Sequence, residues 1–418
     1  MPINRLYDTW ILRIQELRPG QRITQVRNFV WLLIGIHQSH SVTLSRIAGK
    51  IPGRAKLLST TRRLSRLLDN PAIRVREWYE PIARLWLEAQ FGNLGEIRLI
   101  VDGTKVGFGH QLLSVSLAYR KRAIPIAWTW VKHVRGHSSA IKQVALLAYV
   151  RSLIPVGATV FLVGDCEFGS VTVLRQLDQW HWFYVLRQKA NTGIWFRESS
   201  DWQAFGSYTN KPGQSIWLGR GYLTIKEIYP TNLLLHWKVG EKAPWCLATN
   251  LPHRQISLRC YARRMWIEEM YGDFKKHGFD LERTMLRHFL RLSRLTLAVA
   301  ILYVWLVSVG TRTIRSGLRN LVDRSDRRDL SIFQIGLRSI ERCLTNAVPF
   351  QISLCSFRSK ETVRCLVKNK TFHPDYSDAS AKLISSSGCW ASRPAPSLIC
   401  AWQDTPAAAM YTSAPTAR

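Results

Sequence analysis

Two short apolar runs, each leading into an aspartate, constrain this chain most. Ile97 to Val101 (IRLIV) runs into Asp102-Gly103-Thr104, and Ala158 to Val163 (ATVFLV) runs into Gly164-Asp165. Short β-branched runs of this kind read as buried strands. Between them, Leu112 to Tyr119 (LLSVSLAY) alternates, and Ile124 to Val131 follows a basic turn, so the first three strands read as an antiparallel meander. Ser138 to Leu153 reads as a helix stopped by Pro155; a helix over Ser170 to Gln179 and a strand near Trp182 to Leu186 complete the unit. Strand ends are where α/β folds place chemistry, because a carboxylate is exposed there on rigid backbone. A lone aspartate after a strand more often caps a turn. Glu167, two residues past Asp165, reads as a decoy.

A third carboxylate comes from Tyr261 to Asp280 (YARRMWIEEMYGDFKKHGFD), rich in charge and aromatics, without proline, and with glycines only at 272 and 278. It reads as one helix of about four turns, broken near Gly278. At roughly 100° per residue, Tyr261, Arg264, Glu268 and Lys275 share a face about 60° wide, and Glu269 lies about 80° away from Tyr261. Glu268 is therefore the better working carboxylate. The bland alternative is a surface helix with ordinary i,i+4 pairs. Asp102, Asp165 and Glu268 from three elements would repel one another unless they bound cations, and hard oxygen ligands favour Mg²⁺ or Mn²⁺ over zinc.

The charge balance points the same way. Against 28 Asp+Glu stand 59 Lys+Arg, a net +31 over 418 residues, which argues for a polyanionic partner, nucleic acid first. Membrane binding would want basic amphipathic helices or lipidation signals, and neither is evident. Met1 to Leu17 lacks the order of a signal peptide. Leu295 to Val309, the most apolar run, is short for a bilayer and reads as a buried core helix. The eight cysteines show no metal-ligand spacing and are expected to be reduced thiols in a cytoplasmic protein. Near the start, Thr43 to Asn70 reads as two short helices around Pro52-Gly53, with Leu44, Ile47, Ala48 and Ile51 on one apolar face and Leu57, Leu64, Leu67 and Leu68 on another. Arg54, Lys56, Arg62, Arg63 and Arg66 crowd the second half, suggesting a helix-turn-helix-like module that docks on duplex DNA; the bland reading is a helical subdomain with a solvated basic face.

With these residues assembled, the chain resembles the DDE transposases of bacterial insertion sequences, in the subgroup (family 4 type) with a Tyr-x2-Arg-x3-Glu-x6-Lys signature. Tyr261, Arg264, Glu268 and Lys275 keep that spacing, alongside LIVDGTK around Asp102, FLVGDCEFG around Asp165 and HGFDLERT from His277 to Thr284. The resemblance spans roughly residues 20 to 310. It implies an RNase H-like core, a mixed five-stranded sheet flanked by helices, with a β-rich insertion between the second Asp and the Glu. Strand-like runs at 215–218, 222–228 and 233–239 fit such an insertion, closed by Pro244 to Thr249. It further implies two-metal phosphoryl transfer: Asp102, Asp165 and Glu268 would hold two Mg²⁺ ions (Mn²⁺ substituting), one activating water or a 3′-hydroxyl and the other stabilising the leaving oxygen. Water would nick the transposon end, the freed 3′-hydroxyl would form a hairpin, and after its resolution would attack target DNA. Tyr261, Arg264 and Lys275 would contact phosphates, and Trp245 would stack on a base flipped out near the transposon end. Lys105 either helps with DNA or faces solvent. The expected partners are double-stranded DNA, as transposon ends and target, and a second copy of the chain when bound to DNA, in a bacterial cytoplasm at the nucleoid.

The domain organisation that follows is a helical DNA-binding region over 1–92, the first part of the core with both aspartates over 93–190, the insertion over 191–253, core helices with Glu268 over 254–345, and an irregular tail over 346–418. The tail's small, polar composition reads as disorder or as a reading frame altered near its end, a departure from a family that often uses C-terminal helices for subunit contact. Two other readings stay open: a metal-dependent nuclease of the same core, and a catalytically inactive DNA-binding protein derived from a transposase.

Overall fold

The computed structural model describes residues 2–107, 109–132, 138–208 and 211–357. Five helices come first: α1 (Pro2–Leu17), α2 (Ile23–Ser39), α3 (Leu44–Ala48), α4 (Leu57–Asp69) and α5 (Val75–Leu94). The meander follows as β1 (Glu96–Val106), β2 (His110–Tyr119) and β3 (Arg122–Lys132), then α6 (Ala140–Arg151), β4 (Thr159–Gly164), α7 (Val171–Gln179) and β5 (Phe183–Gln188). The insertion carries β6 (Gly193–Trp195), β7 (Gln203–Ala204), β8 (Ser215–Leu223), β9 (Tyr229–His236) and β10 (Trp245–Thr249). Helices α8 (Arg254–Tyr261), α9 (Trp266–Phe274), α10 (Phe289–Arg315) and α11 (Ile332–Thr345) close the described chain.

All ten strands form one sheet, ordered β3-β2-β1-β4-β5-β10-β9-β8-β6-β7. The five core strands are mixed: β1, β4 and β5 are parallel neighbours, while β2 runs antiparallel between β1 and β3. The expected five-stranded sheet is thus extended. β10 pairs antiparallel with β5 and carries the insertion strands onto that edge. An edge strand offers unpaired N–H and C=O groups, and the insertion satisfies them. Strand β2 is buried at nearly every position, on both faces, because helices cover the sheet from both sides.

Within the insertion, the expected strand over 222–228 ends at Leu223: Thr224 (φ 60°) and Ile228 (φ 45°) turn the chain left-handed between β8 and β9. In α4 the apolar face is Thr60, Leu64, Leu67 and Leu68, whereas Leu57 and Leu58 in the first turn are exposed beside Arg54 and Lys56. Arg294 of α10 fixes the other end, donating to Leu68 O at 2.8 Å and Ile73 O at 3.1 Å.

Helix α10 is apolar enough to cross a membrane by composition, yet 94% of that window is buried inside the protein, where α2, α4, α5 and α11 pack around it. It is the central core helix. Residues 346–357 are irregular but docked: Trp86 Nε1 donates to Leu354 O at 2.6 Å, and Leu354 is buried. The remainder of the expected irregular tail, 358–418, lies outside the described residues.

Candidate active site

Strand register brings the two aspartates together. β1 and β4 run parallel with Val101 opposite Gly164, so the next residues, Asp102 and Asp165, leave the paired segment side by side. Gly164 permits this approach, since a Cβ there would lie 2.8 Å from Val101 Cγ1. Asp102 does not end its strand as expected. β1 continues to Val106 because β2 still pairs with it, Asp102 opposite Ser114. Asp102 is accordingly buried, at 4% exposure, rather than presented to solvent. Asp165 ends β4 and caps a short 3-10 turn, its Oδ1 accepting from Glu167 N at 2.9 Å.

The segment from Tyr261 is not one helix. α8 ends at Tyr261, Ala262–Met265 form a 3-10 turn, and α9 begins at Trp266. The tighter turn rotates the chain between Tyr261 and Glu268, so an ideal helical wheel misplaces the signature residues relative to one another. Arg264 lies in that turn and Glu268 in the first turn of α9. Arg264 Nη2 lies 3.5 Å from Asp102 Oδ2 and 3.8 Å from Asp165 Oδ2, and its Nη1 is in contact with Glu268 Oε1. One guanidinium thus gathers three carboxylates from β1, β4 and α9. Glu269 points elsewhere, to Arg122 Nη1 of β3 at 2.9 Å.

Electrostatics follow from that geometry. Burial, opposed by Arg264 and reinforced by Asp165 and Glu268, pushes the Asp102 carboxyl up to about 7. Burial would lower the Arg264 pKa, but Asp102, Glu268, Tyr261 and Asp165 outweigh it and raise it. Three carboxylates against one guanidinium leave the cluster short of positive charge, which suits hard divalent cations. Among the described residues no three acidic, histidine or cysteine side chains form a ready metal cage, because the carboxylates converge on Arg264 rather than on a shared point. The donor chemistry fits a divalent metal ion, and Arg264 holds the oxygens it would need.

The other sequence-selected residues divide. Tyr261 adjoins the cluster, buried at 3%, and burial raises its phenol pKa. Trp245 is buried too, at 7%, with its ring edge-on to Tyr261 at 5.1 Å and to His236 at 5.3 Å. Lys275 ends α9 and pairs with Glu282 Oε1 at 2.9 Å. Lys105 is exposed. Two groups escaped the sequence reading. Buried Asp273 and largely covered Arg122 form a pair on the other side of α9. Gln111, Ser138 and Gln143 bind the Glu167 carboxylate or backbone. Polar residues set in otherwise apolar strand and helix starts were the available signal.

A sheet with β1, β4 and β5 parallel, carrying two strand-borne aspartates beside a helix-borne glutamate, defines an RNase H-like phosphoryl-transfer core. The chain matches the transposase DDE domain family over residues 95–305, half of its length, and belongs to it. It is a transposase, an enzyme of the metal-dependent polynucleotidyl transferase class, and DNA is its substrate. No curated protein matches the chain. Among solved structures, a cryo-EM structure of the piggyBac transposase synaptic complex with hairpin DNA is similar over 90% of this chain and 85% of that chain, at 11% identity and a TM-score of 0.42.

Proposed function

We propose that this transposase belongs to the insertion-sequence subgroup with the Tyr-Arg-Glu-Lys signature, and that it binds terminal inverted repeats, cuts at the element's ends and joins them to target DNA. The observation that carries the proposal is the convergence of Asp102, Asp165 and Glu268 on Arg264. In this reading the three carboxylates hold two Mg²⁺ ions, with Mn²⁺ able to substitute. Bound there, the ions supply activation of the attacking oxygen and stabilisation of the leaving one. Asp102 and Asp165, fixed by strand register, set the site's rigid side. Glu268, on a helix and half exposed, is the solvent-facing third ligand.

Arg264 and the metal ions compete for the same oxygens. Its planar fork suits a DNA phosphate as well as a carboxylate, so the guanidinium that gathers the acids is the natural contact for the scissile strand. Lys275, once free of Glu282, offers a point charge to a second phosphate, and Tyr261 a hydroxyl. Trp245 takes the flipped base only when the wall formed by Tyr261 and His236 opens. The exposed basic residues of 54–66 dock the duplex, the chain acts as a homodimer on DNA, and it works in the cytoplasm at the nucleoid.

The test is cleavage of end-labelled DNA carrying the flanking terminal repeats, with Mg²⁺ and a target plasmid. Wild type should release 3′-hydroxyl ends and join them; Glu268→Ala should do neither. Cutting without joining would reduce the protein to a nuclease, and binding without cutting would leave only a DNA-binding relic.

A further inference from the structure

Glu167 has no part in the roles above, yet its surroundings are fully built. Gln111 Nε2 donates to its Oε2 at 2.8 Å. Ser138 donates to its Oε1 from the backbone N at 2.7 Å and from Oγ at 2.5 Å. Gln143 Nε2 donates to the Glu167 backbone O at 3.1 Å and to nothing stronger than Ser138 Oγ at 2.9 Å. Gln111 and Gln143 are both buried. The side chain ties β2 to the residues leading into α6, and Gln143 of α6 holds the Glu167 backbone, so one residue joins three segments behind the two aspartates.

The tie reaches both aspartates. Glu167 N holds Asp165 Oδ1 at 2.9 Å, which leaves Oδ2 toward Arg264. Gln111 presses on the residue after Asp102: a Cβ on Gly103 would collide with the Gln111 amide and come 3.0 Å from Leu113 Cδ2. Only glycine beside Asp102 lets that amide reach Glu167. A fourth metal ligand would need free carboxylate lone pairs and no donors crowding them. Both Glu167 oxygens instead accept N–H or O–H bonds from fixed donors, which repel a cation.

We propose that Glu167 is a positioning residue, which sets the separation and orientation of Asp102 on β1 and Asp165 after β4 by bracing the two segments through Gln111 and Ser138, and takes neither metal nor DNA itself. The cleavage arm of its test rests on the transposase reading; a metal-binding arm does not. Outer groups that orient metal ligands typically matter by about 10–100-fold in affinity or activity. Glu167→Ala should therefore lower kcat for end cleavage by about 30-fold or more, leave KM for DNA within about threefold, and weaken Mn²⁺ binding without DNA, read by electron paramagnetic resonance, by about tenfold.

Glu167→Gln should recover most of the loss on both readouts. Gln111 Oε1 has no partner, so its amide can turn over and accept from the new Nε2. Gln111→Ala combined with Glu167→Ala should be no worse than Glu167→Ala alone, because the Gln111 arm acts only through Glu167. A Glu167→Gln protein as inactive as Glu167→Ala, with an unchanged melting temperature, would show that the charge is needed and overturn the proposal in favour of a metal ligand. A raised KM at constant kcat would overturn it in favour of a DNA contact. Should Glu167→Ala misfold, Glu167→Gln and Gln111→Ala decide. If wild type itself cuts no element ends, the proposed end-cleavage function fails, and the Mn²⁺ comparison still decides for or against the brace.

Discussion

Helix α9 carries two arginine–carboxylate clusters on opposite sides, built from the same parts. On one side Arg264 meets Asp102, Asp165 and Glu268; on the other Arg122 meets Glu269 and Asp273. Each holds one deeply buried aspartate whose carboxyl is pushed up to about 7, in both cases by burial first. They differ in access and in balance. Asp273 is closed off between α9 and β3 with its Oδ2 3.1 Å from Arg122 Nε, Arg122 is largely covered, and only Glu269 at the rim faces solvent. The Arg264 cluster holds one more acid and opens to solvent through Glu268 and Asp165. An enclosed pair fastens a helix to a sheet. An open cluster with surplus negative charge can exchange its organic cation for metal ions and DNA.

The largest effect that would break the comparison separates two adjacent glutamates. Glu268→Gln should reduce strand cleavage by at least about a thousandfold, which is roughly 4 kcal/mol of transition-state stabilisation. Glu269→Gln should stay within about threefold, as expected of an exposed rim charge. Equal losses from both would erase the distinction between the two sides of α9.

Arginine removal sharpens it next. Arg122→Ala strands Asp273 in the interior, and removing one partner of a buried pair costs roughly 3–5 kcal/mol. Its thermal midpoint should fall by about 5–15 °C, with the specific activity of the folded fraction kept. Arg264→Ala should do the reverse: a small change in melting temperature, cleavage reduced about a hundredfold by the lost phosphate contact, and Mn²⁺ bound more tightly because nothing competes for the three carboxylates. Calorimetry and metal titration on the same two proteins read both.

The smallest effect lies in pH. Asp102 has a folded pKa of about 7 against an ordinary 3.8. A raised carboxyl pKa contributes stability that is full below about 3.8 and is lost as pH rises through about 7. In EDTA the wild-type melting temperature should therefore fall between pH 5 and 8. Asp102→Asn, which cannot ionise, should be more stable than wild type at pH 8, with the gap shrinking toward pH 5. A gap of constant size would mean that Asp102 is ionised throughout.

Much of this site was legible in the sequence because it depends on local chain direction. Two apolar runs ending in Asp102 and Asp165 had to lie in the sheet, and helical periodicity separated Glu268 from Glu269. What was hidden depends on pairing across space. The 3-10 turn at Ala262–Met265 has no glycine or proline to announce it. β1 continues past Asp102 because β2 lies beside it, a fact of register rather than composition. The β-branched run through Thr224 to Ile228 reads as strand but turns left-handed, since tertiary closure of the β8–β9 hairpin overrides propensity. The union of insertion and core into one sheet rests on backbone bonds between β5 and β10, which no side-chain pattern encodes. Glu167 looked like a decoy because its partners, Gln111 and Ser138, lie 56 and 29 residues away.

The most direct measurement places the metal on the polypeptide. Fe²⁺ loaded in place of Mg²⁺, with ascorbate and peroxide, cuts backbone beside the ion, and the fragments can be mapped by mass spectrometry. Cuts clustered near residues 102, 165 and 268 that disappear in Glu268→Gln but persist in Glu269→Gln are the predicted result. Cuts near 122 and 273, or a pattern unchanged in Glu268→Gln, would contradict the assignment of Asp102, Asp165 and Glu268 as the metal-binding site.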